Sequence, residues 1–185
     1  MSHTVQLTTA RLVLKPIDIA HAEAIFRYRS DSVTNRYQGW IPAKVEDVIS
    51  FITNRTSREI NVCGTWFQLV VILKTTGGII GDIGLHFAGS GNDQVELGCT
   101  IGREHQGKGY AREALDEVIG YLFNTLDKNR LTASVSPANT PSIKLFEGLG
   151  FRRSDHLKDR IQPCESPDAD LVCYLYKSNL SEQQR

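Results

Sequence analysis

The sequence predicts an α/β fold of the α+β kind, a single mixed and mostly antiparallel twisted sheet with helices on both faces. Three observations carry this. Three β-rich runs separated by tight turns lie between residues 66 and 101. A glycine-rich bend then opens a helix with a continuous apolar stripe. Strand and helix patterns alternate from there to residue 176, which gives the whole chain the order β-α-α-β-β-β-α-β-α-β-β.

Each element has a local cause. Arg11 to Pro16 reads as a strand. Asp18 can cap a helix whose stripe is Ile19, Ala22, Ile25 and Tyr28. After a polar stretch with Tyr37, Gly39 and Trp40, a second helix follows Pro42, with Val45, Val48, Ile49 and Ile52 at helical spacing. Trp66–Leu73, Ile79–Phe87 and Gln94–Ile101 are strands, joined by turns at Thr75–Gly78 and Gly89–Asn92. Such short connections make them an antiparallel meander. A helix from about Tyr110 to Leu126 carries Ala114, Leu115, Val118, Ile119, Leu122 and Phe123 on one stripe. Arg130–Ser136 is a strand. Asn139 or Thr140 caps a short helix with Pro141 in its first turn, and Gly148 and Gly150 end it. Phe151 starts another strand, Asp170–Tyr176 forms the last, and residues between them form an irregular loop.

The chain of 185 residues is expected to form one domain, 1–185, with a core at about 7–177. It is long enough to bury a core without disulfides. Its charges cancel, 21 basic against 21 acidic, so no global field draws it to nucleic acid or to an anionic membrane. Any anion site must be local. Cys63, Cys99, Cys164 and Cys173 lie in no Cys-x-x-Cys pair and have no accompanying histidine spacing. They are expected to be free thiols in a reducing cytoplasm, with no metal bound. No apolar run is long enough to span a bilayer and the first nine residues lack a signal-peptide core. The sequons at Asn54 and Asn179 are then chance matches.

The chemistry is concentrated where the strand ending Val95-Glu96-Leu97-Gly98-Cys99-Thr100-Ile101 runs into Gly102 and then Gln106-Gly107-Lys108-Gly109-Tyr110-Ala111. A bend of this kind at a helix N-terminus collects unpaired N–H groups where the helix dipole favours an anion. Gly107 and Gly109 let the backbone come close to a phosphate, Ala111 is small, and Lys108 and Arg112 add positive charge. The dinucleotide pattern Gly-x-Gly-x-x-Gly fails at Arg112. The nucleotide P-loop is matched from Gly102 to Lys108 but has Gly109 where Ser or Thr is needed. Gln/Arg-x-x-Gly-x-Gly/Ala is matched in full by Gln106 to Ala111.

With that match the chain resembles the GCN5-related N-acetyltransferase (GNAT) superfamily, and within it the ribosomal-protein N-acetyltransferase (Rim-type) subfamily. The likeness spans about Leu7 to Lys177 and includes Ala138-Asn-Thr-Pro-Ser-Ile-Lys-Leu-Phe-Glu-Gly-Leu-Gly-Phe151. It implies a GNAT-type sheet with a splayed parallel strand pair, Gln94–Ile101 beside Arg130–Ser136. It implies acetyl-CoA as co-substrate, with its diphosphate on Gln106 to Arg112 and its pantetheine in the gap, near Cys99, Thr100, Ile101, Asn139 and Ser142. The acceptor amine is expected from the other side, near Tyr37 and Trp40.

The reaction is aminolysis of a thioester, which needs positioning, a base and a donor to the carbonyl oxygen. Glu96 is the candidate base, or a solvated strand residue. Ser142 is the candidate for hydrogen bonding or protonating the sulfur, or a first-turn residue bonded to backbone. Relatives often carry a Tyr in this helix where Phe146 stands. Asn139 either contacts pantetheine or caps the helix. Cys99 is expected to point away from Glu96 into the core, and an N–H near Cys99 to Ile101 to polarise the acetyl carbonyl if the strand splays. The acceptor is a protein N-terminus or a small amine such as a polyamine, amino acid or aminoglycoside. A non-catalytic acyl-CoA-binding module and a nucleotide phosphohydrolase are the alternatives. No nucleic acid or membrane partner is expected, and the chain is a monomer or homodimer.

Overall fold

The computed structural model describes residues 5–154 and 171–179. Within them, eight strands form one sheet in the order β1-β2-β3-β4-β5-β6-β8-β7. The strands are β1 (Leu7–Thr8), β2 (Leu12–Pro16), β3 (Trp66–Leu73), β4 (Ile79–Ala88), β5 (Gln94–Ile101), β6 (Arg130–Val135), β7 (Arg152–Ser154) and β8 (Leu171–Tyr176). Every neighbouring pair is antiparallel except β5 and β6. The loop expected through the 150s and 160s, with Asp170 and Cys164, lies outside the described residues.

Helices cover both faces. Helix α1 (Ala22–Arg29) and helix α2 (Val45–Arg55) pack through Ala22, Ile25, Tyr28 and Val48 onto Val70 of β3. Helix α3 (Tyr110–Asn124) and helix α4 (Thr140–Gly148) pack on the opposite face. All six predicted stripe residues of α3 are buried there, against Leu69, Val71, Ile83, Leu85, Val95 and Leu97. Strand alternation explains the division, since Leu69 and Val71 point one way and Val70 the other.

Several details depart from the expectations. Asp18 caps a 3-10 turn, Ile19–His21, and α1 begins only at Ala22. Ile19 is therefore 47% exposed and leaves the buried stripe. Helix α2 does follow Pro42 and carries the expected stripe from Val45, because the Asp47 carboxylate accepts from the amides of Ala43 and Lys44 and fixes the first turn there. Helix α3 ends at Asn124, two residues early. Strand β1 has only two residues, too few to show a period in the sequence.

A buried polar knot ties α1 to the sheet. Asp82 of β4 accepts from Arg29 Nε and Nη2, from the Tyr28 hydroxyl and from Gln68 Nε2. Both carboxylate oxygens thus take two donors, which satisfies a charge that burial would otherwise penalise. Burial alone lowers the basicity of Arg29, but the Asp82 charge and hydrogen bonds outweigh it and hold the guanidinium above its ordinary value. Burial first, and Asp82 second, push the Tyr28 phenol well up.

Candidate active site

Strands β5 and β6 begin as a parallel pair and then part. The pairs are Gln94 with Arg130, Val95 with Leu131 and Glu96 with Thr132, and none follows. Strand β5 stays on β4 as far as Ile101, opposite Gly81. Gly102 N–H donates to Ile80 at 2.8 Å. Antiparallel alternation therefore turns the backbone groups of Thr100 and Gly98 toward β4, and those of Ile101 and Cys99 toward the gap. The Ile101 carbonyl is indeed free of β4, because Gln106 Nε2 donates to it at 2.8 Å. The N–H groups of Cys99 and Ile101 face the opening with no strand opposite.

The bend follows directly. A 3-10 turn, Arg103–His105, leads to Gly107 at φ +72° and Gly109 at φ +79°. This left-handed backbone is easily reached only by glycine. The first bond inside α3 runs from Glu113 N–H to the Gly109 carbonyl at 3.0 Å. The amides of Tyr110, Ala111 and Arg112 are thus left without helical acceptors, at the positive end of the helix dipole.

Bend and gap open into one cavity of about 600 Å³. Of the residues singled out in the sequence, Tyr37, Cys99, Thr100, Ile101, Gln106, Gly107, Gly109, Tyr110, Ala111, Arg112, Asn139 and Ser142 line it. Glu96, Lys108 and Trp40 do not. Trp40 stacks on Phe51 at 4.7 Å between ring centres and packs in the α1–α2 core. The Lys108 carbonyl is engaged on the outer side of the bend. Glu96 sits at the last paired position before the strands part, where Ser134 Oγ donates to its Oε1 at 2.8 Å. His86 of β4 is its partner on the other side.

Asn139 caps α4, its side chain accepting from Ser142 N–H at 3.3 Å. Ser142 and Leu145, one turn apart, face the cavity, whereas Phe146 is buried edge-on against Phe151 at 5.1 Å. The Tyr37 hydroxyl donates to the Ala138 carbonyl at 3.2 Å and joins the α1–α2 connection to the one before α4. Burial, and secondly the Asp82 charge, push the Cys99 thiol up to about 12, so it stays protonated and a poor nucleophile.

Sequence reasoning missed part of the wall. Val33, Thr34, Arg36 and Gln38 line the cavity from the α1–α2 connection, Arg103 from the bend, and Leu145 from α4. A connection without periodicity carries no signal for its inward side, although the sequence did mark Tyr37 within it. Among the described residues no cluster of His, Cys, Asp and Glu could hold a metal ion, and no helix is long and apolar enough to cross a membrane.

Two features of the cavity suit acetyl-CoA. An added Cβ at Gly107 would meet no atom within 4 Å, so the bend is open to a bulky anion. The Thr100 hydroxyl, buried beside the free amides, has no partner, and such a group gains by meeting a polar ligand.

A family model described as an acetyltransferase (GNAT) domain matches residues 11–152. The chain is 34% identical over 157 residues to an uncharacterized N-acetyltransferase, p20, of Bacillus licheniformis, covering 83% of this chain and 85% of that one. A shorter match, 40% identical over 63 residues, joins it to a ribosomal protein uS5-alanine N-acetyltransferase of Escherichia coli, covering 34% and 32% of the two chains. An acetyltransferase (GNAT family) of Bacillus anthracis shares the fold with a TM-score of 0.77 at 24% identity, over 94% of this chain and 99% of that one. The chain belongs to the GNAT family of acetyl-CoA-dependent acetyltransferases.

Proposed function

We propose that the chain transfers the acetyl group directly from acetyl-CoA to a primary amine, within a ternary complex, and that the amine is a protein N-terminus. The observation that carries this is the single cavity, which joins an amide-lined bend to a gap bordered by two unpaired N–H groups. Arg36, Arg103 and Arg112 give the cavity wall a positive charge, which suits a coenzyme with several phosphates.

The residues then divide the work. Backbone amides from Gly107 to Arg112 hold the diphosphate. Asn139 and Ser142, at the start of α4, border the pantetheine path. The N–H of Cys99 or Ile101 donates to the thioester carbonyl oxygen, where charge develops in the transition state. Glu96, oriented by Ser134, takes the proton from the attacking amine through a water. The amine nitrogen bonds to the acetyl carbon, the carbon–sulfur bond breaks, and the sulfur leaves as thiolate. On α4 the cavity meets Leu145 and no tyrosine, so the role of hydrogen bonding that sulfur goes to Ser142 of the same helix.

The likeness to the uS5-alanine enzyme over 63 residues supports a protein N-terminus; a spermidine N(1)-acetyltransferase of Vibrio cholerae matches over the same length at 34% identity, so a polyamine is the rival that the test must separate. The exposed Val33 and Tyr37 at the cavity mouth also offer an apolar surface for residues that follow a terminal amine. The test is an acceptor panel of peptides with free N-termini, the same peptides blocked, spermidine and an aminoglycoside, read by CoA release and product mass. Acetylation of free peptides alone supports the proposal. Preference for spermidine or the aminoglycoside refutes the acceptor class. Tight CoA binding without transfer to any of them refutes catalysis.

A further inference from the structure

Arg11 lies on the outer side of the bend, away from the cavity. Its Nη1 donates to the Lys108 carbonyl at 3.0 Å, its Nε to Glu113 Oε2 at 2.5 Å, and its guanidinium carbon lies 4.5 Å from the centre of the Tyr110 ring. Its backbone N–H donates to Glu113 Oε1 at 2.8 Å, and Thr9 Oγ1 donates to the same oxygen at 2.6 Å. The turn between β1 and β2 is therefore fastened to the first turn of α3 through one carboxylate. In a trans peptide the C=O and the following N–H point in opposite directions. By drawing the Lys108 carbonyl outward, Arg11 leaves the Gly109 N–H turned inward. The lining agrees for Lys108, which does not border the cavity, while Gly109 borders both the cavity and the outer hollow beside Arg11.

We propose that Arg11 is a positioning residue for the co-substrate: its guanidinium holds the Lys108–Gly109 peptide with its N–H toward the diphosphate site. It also supplies the countercharge to Glu113, a carboxylate in the very turn where an anion must bind. The inference rests on the reading that this bend holds the diphosphate of acetyl-CoA.

The experiment compares wild type, Arg11→Ala and Arg11→Lys with two acetyl donors, acetyl-CoA and S-acetylpantetheine, which lacks the diphosphate. Arg11→Ala is expected to raise KM for acetyl-CoA about tenfold, as for one lost charge-assisted hydrogen bond, with less than a twofold change in kcat. Its kcat/KM for S-acetylpantetheine should fall less than twofold. Arg11→Lys should recover part of the loss, because it can still donate to the Lys108 carbonyl but lacks the fork. In the ligand-free Arg11→Ala protein, the Gly109 amide resonance should move. Equal losses with both donors would mean a general structural role and overturn the proposal. A lost affinity with an unmoved Gly109 resonance would mean direct contact with phosphate, and would overturn it as well. If wild type gains nothing from the diphosphate, the reading of the bend fails and this inference falls with it.

Discussion

Position 109 separates charge from backbone strain. Gly109 stands at φ +79°, and a Cβ built there would come no nearer to other atoms than 3.4 Å, from Arg11 Nη2. Asp and Asn are nearly the same size and are among the residues that best tolerate this conformation. Gly109→Asn and Gly109→Asp should therefore share their steric cost and differ by one negative charge. At about 4 Å a unit charge pair is worth roughly 1 kcal/mol in water and roughly 4 kcal/mol at an effective dielectric of 20. The bend is open to solvent, and Arg11 beside it neutralises part of an added carboxylate. About 2 kcal/mol is the resulting expectation, or roughly 30-fold in Kd between the two variants. Calorimetry with CoA at low and at high salt measures it. The Asp variant should bind more weakly, and salt should narrow the difference by screening. Equal affinities for the two variants, or a difference that ignores salt, would refute an anion held at this amide.

Other outcomes follow from the same geometry. Glu96→Gln should lower kcat more than it weakens acetyl-CoA binding; unchanged turnover across the pH range would remove Glu96 from the base role. Cys99→Ala should keep acetyl transfer, because a thiol pushed up to about 12 is not a working nucleophile; an acetylated Cys99 trapped in wild type by mass spectrometry would contradict this. Asp82→Asn leaves Arg29 buried without its countercharge, at a cost of about 3–5 kcal/mol. For a chain of this size that is a fall in Tm of about 6–20 °C by scanning calorimetry, and a loss below about 2 °C would count against the knot. Burial is the largest single influence on Glu113 and raises its carboxyl, but hydrogen bonds from Thr9 and Arg11 and the Arg11 charge together outweigh it and hold the group below the ordinary 4.5. Its stabilisation is present at neutral pH and is lost as pH falls below about 4.5 toward the folded value. Glu113→Gln should flatten the acid limb of the unfolding profile, and an unaltered limb would contradict the pairing.

Much of the architecture was legible because it rests on period and punctuation. The stripe of α3 places six side chains on one core, and the turns after Leu73 and Ala88 leave no room for crossovers. The bend was legible for a similar reason: glycines followed by a strong helix pattern leave orphan amides in whatever tertiary setting they fall. The direction of each peptide in the bend was not legible. Whether Lys108 or Gly109 faces the cavity depends on two positive φ angles and on Arg11, about a hundred positions away in sequence. Trp40 illustrates a second limit. An aromatic in an aperiodic connection can border a pocket or anchor the connection, and only the position of Phe51 decides it. Ile19 marks a third, since a helical spacing was continued into a 3-10 turn whose residues point elsewhere.

The most direct measurement is a crystal structure with coenzyme A soaked into this chain. Diphosphate oxygens within about 3 Å of the amide nitrogens between Gly107 and Arg112 are the predicted result, a normal hydrogen-bond distance. Coenzyme bound elsewhere, or those nitrogens bonded instead to the protein's own carbonyls, would contradict the account.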